Sequence, residues 1–244
     1  MSDNDGPGRY QYMNFNAPLS DARADAIADR LAAAQPKDVL DIGCGWGELL
    51  LRVVERVPEA TGLGVDTDEP LLARGRAAAQ QRGLRVTFDN VEGKEVSHEA
   101  DVVICIGASH AFGSTSAALA YLYDVVRPGG RLLFGDGLWN PHAPVQRPDL
   151  VWDDLPELPT LGGLVDVAVE AGFRPLWTEV ASPDELDAFE SRYLADWEEW
   201  LLTHSDDPRA AEIRAKADEH RRRWLHGYRE AFGFAYLTLG RPAA

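Results

Sequence analysis

The sequence predicts an α/β fold: a mostly parallel sheet with helices on both faces. Three observations carry this. Short apolar runs bounded by turn residues alternate with helical patterns across residues 36–180, the rhythm of β-α-β units. One of those runs, Asp101-Val102-Val103-Ile104-Cys105-Ile106, is apolar almost throughout, as a central parallel strand covered on both faces must be. A third, Val39 to Ile42, runs into three alternate glycines (Gly43, Gly45, Gly47) and then into a helix opening at Glu48.

A chain of 244 residues with 45% apolar and 26% charged residues suits one large domain with an insertion, here divided into an N-terminal arm (1–19), a core (20–180), a helical insertion or lid (181–230) and a last strand with its tail (231–244). The formal net charge of −16 argues against a nucleic-acid partner, because phosphates require Lys and Arg to replace their counterions. The dense basic run Arg221-Arg222-Arg223 has acids nearby and reads as a solvated helix face. The polar, acidic opening and the lack of a long apolar run predict a cytoplasmic protein with no membrane partner. Cys44 and Cys105 read as small buried residues rather than a disulfide or a metal pair.

Taken in order, residues 1–8 predict no structure, and Tyr10 to Leu19 forms an aromatic arm, either a lid or a packing strap. Ser20 or Asp21 caps a helix to about Ala34. Strand one is Val39–Ile42, strand two Thr61–Asp66, and a helix from Asp68 to Arg82 carries Pro70 in its first turn and Gly83 as its stop. Strand three is placed at Leu84–Phe88, ahead of Asp89 and Asn90, and strand four at Asp101–Ile106. A helix from Ser114 or Ser116, an Arg127-Pro128-Gly129-Gly130 turn and strand five at Arg131–Gly135 follow. A Pro-rich loop over 139–160 holds Trp139, His142, Trp152, Asp153 and Asp154, whose spacing matches no zinc signature, so no metal is expected. Leu161–Ala171 is a helix, Phe173–Val180 strand six and Phe234–Leu239 strand seven, with helices at about 184–203 and 207–230 inserted between them.

The chemistry concentrates in Asp41-Ile42-Gly43-Cys44-Gly45-Trp46-Gly47-Glu48. Glycines let backbone turn at unusual φ or meet a ligand closely, and a helix N-terminus follows with its free N–H groups. The loop is not a dinucleotide fingerprint, whose last glycine is replaced by Glu48, nor a phosphate loop, since it lacks the lysine. An acid ahead of the glycines repels a pyrophosphate and suits a cation.

This D-x-G-x-G-x-G pattern resembles motif I of the class I S-adenosylmethionine-dependent methyltransferases. The acid ending strand two, the acid after strand three and the helix, R-P-G-G turn and strand that follow extend the resemblance over roughly residues 36–137. It implies a Rossmann-like seven-stranded sheet of order 3-2-1-4-5-7-6 and S-adenosyl-L-methionine as cofactor. It implies that Asp41 acts on the amino end of the methionine part, that Gly43 and Gly45 admit the cofactor, that Asp66 accepts from the ribose hydroxyls and that Asp89 meets the adenine amino group. Cys44, Thr67, Asn90, Ile106 and Gly107 are expected as further cofactor contacts.

Ligands of open α/β sheets bind beyond the carboxyl ends of the strands. His110, after strand four, is therefore the expected general base, since imidazole exchanges protons near neutral pH. Asp136, ending strand five, is a second candidate for base or for orienting His110. Tyr12, Trp139 and Trp152 are expected around a small-molecule substrate. A nicotinamide-dependent oxidoreductase or a non-catalytic cofactor-binding protein are the alternative readings. Asp41 and Glu48 oppose the first, and the intact loop opposes the second. The sequence leaves the oligomeric state open.

Overall fold

A computed structural model describes residues 6–140, 142–143, 147–151 and 157–243. Seven strands form one sheet: β1 (Asp38–Ile42), β2 (Thr61–Asp66), β3 (Val86–Asn90), β4 (Ala100–Ile106), β5 (Val126–Trp139), β6 (Arg174–Val180) and β7 (Phe232–Gly240). Their order is β3-β2-β1-β4-β5-β7-β6, as the resemblance implies, with the β1–β2, β1–β4, β2–β3 and β4–β5 pairs parallel and β7 antiparallel to β6. The helices are α1 (Asp21–Ala32), α2 (Glu48–Arg56), α3 (Glu69–Arg82), α4 (Thr115–Val125), α5 (Leu161–Glu170), α6 (Pro183–Thr203) and α7 (Ala210–Arg223).

The chain divides into two compact units. A sheet unit holds residues 20–138, 159–180 and 234–244, and a helical unit holds 1–19, 139–158 and 181–233. In the sheet unit the apolar strand residues Leu40, Val103, Cys105, Leu132 and Phe134 are fully buried with Leu119 and Leu122 of α4 and Leu164 of α5. Each such Leu or Phe contributes about 1.5–3 kcal/mol relative to exposure. The helix starts are those the sequence marks: Ser20 accepts from Arg23 N, Asp68 from Leu71 N and Ser114 from Ala117 N.

Among the boundaries that move, two have a reason in the backbone hydrogen bonding. Strand three begins at Val86, not Leu84, because the Leu84 amide bonds back to Ala79 O around the left-handed Gly83 and so belongs to the end of α3. The Arg127–Gly130 segment is a bulge within a longer β5: Ala100 pairs with Val126 and Val102 already with Arg131.

In the helical unit, Leu194, Ala217, Trp224 and Tyr228 form a core against which Trp139, Val151, Leu158, Trp197 and Phe232 pack. The second inserted helix is broken: regular α7 ends at Arg223 and a π turn spans Trp224–Tyr228. Buried Glu190 of α6 accepts hydrogen bonds there from Tyr228 Oη at 2.9 Å and pairs with His220 Nε2 at 2.7 Å.

Candidate cofactor and active site

Parallel register brings the acids to one edge of the sheet. Asp41 stands beside Gly64 and Ile104, Val65 beside Asp89, and Asp66 beside Asn90. Between β1 and α2 the chain turns through Gly43, Gly45 and Gly47, all at positive φ (71°, 55° and 65°), where an L side chain is strained. Backbone amides tie this loop to β2: Gly43 N and Cys44 N both donate to Val65 O, at 2.9 and 3.0 Å. The Asp66 carboxylate completes the tie, its Oδ2 accepting from Gly45 N at 2.8 Å and its Oδ1 from Asp68 N at 2.9 Å. A carboxylate has about four acceptor sites, so Asp66 keeps capacity for a diol while holding the loop.

A Cβ on Gly43 would stand 2.5 Å from the Ala108 Cβ, so the glycine loop and the loop after β4 touch there. Gly45 and Gly107, by contrast, look onto open space: a Cβ on Gly45 meets only Leu71 at 3.9 Å, and one on Gly107 meets nothing within 4 Å. These are the bare backbone positions a ligand can approach.

Asp41 is the electrostatic centre. The residue is only 5% exposed, and among the described residues no hydrogen-bond donor acts on its carboxyl. Burial, and secondarily the charge of Asp66, push its carboxyl up to about 8. A buried carboxyl without a donor is costly, and a cation delivered to it offsets that cost. The same burial, reinforced by Asp41 and Asp66, raises the Cys44 thiol, which stays protonated and points its weak donor at Gly45 O. Cys105 is likewise raised by burial, with Asp41 and Asp136 adding to it.

Asp41, Gly43, Cys44, Gly45, Asp66, Thr67, Asp89, Asn90, Ile106, Gly107, His110 and Asp136 all lie in the sheet unit. Thr67, Asp89 and Asn90 are exposed at the ends of β2 and β3, and the Asn90 amide donates to Thr67 O at 3.4 Å. His110 is exposed on a 3-10 turn at Ser109–Phe112. Asp136 is buried, its Oδ2 accepting from Thr115 Oγ1 and its Oδ1 from Gly137 N, both at 2.9 Å, and no hydrogen bond joins it to His110. Tyr12 and Trp139 belong to the helical unit, Tyr12 exposed and Trp139 packed on that unit's core. Trp152 lies outside the described residues. The sequence reading did not single out Thr115, Phe88, Gly64 or Gly75. The last two were signalled only by being glycines inside a strand and a helix. Among the described residues no group of three or more His, Cys, Asp or Glu is placed to hold a metal ion, and no helix is long and apolar enough to cross a membrane.

Comparison with known proteins agrees with this geometry. The methyltransferase-domain family matches residues 39–130. The uncharacterized protein YjhP of Escherichia coli is 28% identical over 82% of this chain and 83% of its own length. Its crystal structure superposes with a TM-score of 0.81 over 94% of this chain and 95% of that one, at 25% identity. The demethylmenaquinone methyltransferase of Thermus thermophilus is 36% identical over 64% of this chain and 73% of that protein. A Geobacter sulfurreducens S-adenosylmethionine-dependent methyltransferase, crystallised with S-adenosyl-L-homocysteine, has the same fold, with a TM-score of 0.81 at 24% identity over 93% of each chain.

A doubly covered sheet of this order, with a glycine loop and an unpaired acid at its carboxyl edge, defines a nucleoside-type cofactor protein. The chain belongs to the class I S-adenosylmethionine-dependent methyltransferases and is an enzyme that takes S-adenosyl-L-methionine as its cofactor.

Proposed function

We propose that this enzyme methylates a small molecule at oxygen, nitrogen or an activated carbon, without a metal. The observation that carries the reading is Asp41, buried and unbonded among the described residues, at the head of a loop that leaves bare backbone at Gly45. That arrangement suits the ammonium of a methionine moiety, for which the carboxyl gives up its proton, and offers a diphosphate no counter-charge. When bound, the cofactor supplies an electrophilic methyl on its sulfonium. The protein's own residues do the rest. Asp41 holds the amino end, Asp66 accepts from the ribose hydroxyls with its remaining lone pairs, and Asp89 accepts from the adenine amino group. Cys44, Thr67, Asn90, Ile106 and Gly107 line the same edge.

His110 removes the proton from the attacking atom of the acceptor. Its turn follows Gly107, and its exposure leaves the imidazole free to meet a substrate. Asp136 and Thr115 shape the acceptor side as a hydrogen-bonded pair. The net charge of −16 disfavours a nucleic acid in that role.

The test uses cofactor carrying a tritiated methyl, offered with panels of phenols, carboxylic acids and amines and with protein and RNA fractions. Label is expected in a small molecule. Label found only in protein or RNA would sink the reading. With the labelled acceptor, His110→Ala is expected to lower kcat by about 10²-fold or more while S-adenosyl-L-homocysteine affinity stays within about twofold. Unchanged kcat would remove His110 as the base.

A further inference from the structure

A loop with glycine at three of five positions has few side chains with which to hold its own shape. Beyond its hydrogen bonds to β2, what abuts it sets its conformation. On one flank Ala108 abuts Gly43. On the other, the ring of Phe88 on β3 fills the space that three glycines leave. A Cβ would come within 2.6 Å of that ring at Gly47 in the loop, 2.8 Å at Gly64 on β2 and 2.7 Å at Gly75 on α3. The same missing side chain at Gly75 lets the carbonyl of Trp46, also in the loop, approach α3, where a Cβ would stand 2.8 Å from the oxygen. Phe88 is only 4% exposed. Its backbone is held independently of its ring: it pairs with Gly64 across the sheet, and its carbonyl accepts from Arg76 Nε at 3.2 Å and Nη2 at 2.8 Å.

We propose that Phe88 is a positioning residue for the methyl donor. Its ring is the wedge that seats the glycine loop for the methionine end of the cofactor, while the next residue, Asp89, addresses the adenine end. One side chain on β3 thereby fixes the spacing between the two halves of the cofactor site. Gly47, Gly64 and Gly75 are glycines to make room for it. The left-handed Gly47 that caps α2 is the contact through which the ring acts on the loop. Shortening the ring frees the loop but leaves the strand backbone, and so Asp89, in place. A site of this kind loses function when its supports loosen by about 1 Å.

The inference rests on the glycine loop being the methionine site, and wild-type binding tests that separately. The experiment is titration calorimetry of wild type and Phe88→Leu with S-adenosyl-L-homocysteine and with adenosine. Phe88→Leu is expected to bind S-adenosyl-L-homocysteine about tenfold or more weakly and adenosine within about threefold of wild type. A purely structural role would lower both together or neither, and either result overturns the proposal. Phe88→Met, which removes the ring but keeps most of its volume, is expected to give the same split to a smaller degree and stands in should Phe88→Leu fail to fold. Wild-type protein that bound adenosine and S-adenosyl-L-homocysteine equally would instead remove the methionine reading of the loop, and this proposal with it.

Discussion

The two units bury carboxyl groups in opposite ways. In the sheet unit Asp41 is 5% exposed, has no donor among the described residues, and is pushed up to about 8 by burial and by Asp66. In the helical unit Glu190 is 6% exposed, yet it takes a hydroxyl from Tyr228 and sits 2.7 Å from His220 Nε2. Burial raises the Tyr228 phenol, and the neighbouring Glu190 raises it further. A paired buried carboxylate joins elements, here α6 to α7 and its π turn. An unpaired one destabilises the protein that carries it, and such groups concentrate where a ligand completes them.

The comparison breaks most visibly at Asp41. Asp41→Asn keeps the shape and removes the ionisable group. It is expected to weaken S-adenosyl-L-homocysteine binding by on the order of 10²-fold, the scale of a buried charge-assisted contact, and to raise the Tm of the protein alone at pH 7. Loss of both affinity and Tm would make Asp41 a structural residue like Glu190. The stability effect has a definite sign. An unfolded aspartate titrates near pH 3.9, whereas Asp41 in the fold holds its proton until about pH 8. Between those values the folded state binds more protons than the unfolded one. Stability from this group is therefore full below about pH 4, falls as pH rises, and levels off above about pH 8. In Asp41→Asn that fall is expected to disappear from the stability profile measured by denaturant titration.

A second effect follows from the same proton. Below about pH 8 an ammonium entering the site must expel it. The Kd for S-adenosyl-L-homocysteine is expected to tighten by up to about tenfold per unit from pH 6 towards pH 8 and then flatten. Calorimetry in buffers of different ionisation enthalpy should count close to one proton released per site at pH 6–7. A flat Kd with no proton released would place the ammonium away from Asp41.

Much of the sheet unit could be read from the chain because its devices are local. The glycines at 43, 45 and 47 all take the left-handed conformation that the motif requires. Asp68, Pro70 and Gly83 bracket α3 as the capping rules say. The strand order came from the resemblance, which covers this unit and not the helical one. What stayed hidden depends on neighbours distant in sequence. Phe88 looks like any strand aromatic until Gly47, Gly64 and Gly75 are seen around it. Asp136 invites pairing with His110, yet Thr115 on the first turn of α4 is the group within reach. Trp139 reads as a substrate ring and packs on a hydrophobic core. The helical spacing of Trp197, Trp224 and Tyr228 in the inserted segment predicts packing residues. It could not show that Glu190 and His220, 30 residues apart, meet between them.

The smallest expected effect lies on the helical side and sharpens the contrast. Tyr228→Phe removes one donor from Glu190 and leaves the ring that packs with Leu194, Ala217 and Trp224. Unlike Asp41, Glu190 keeps a second partner in His220, so the variant loses one hydrogen bond rather than the whole solvation of the group. The expected cost is about 1–2 kcal/mol, the range for a buried hydrogen bond whose acceptor is charged and still partly satisfied, read as a lower midpoint at constant slope in urea. A change below a few tenths of a kcal/mol would mean that Tyr228 contributes its ring alone. A loss as large as that of a fully unpaired buried charge, 3–5 kcal/mol or more on the usual scale, would mean that His220 gives Glu190 no support and that the two carboxyls differ less than their surroundings indicate.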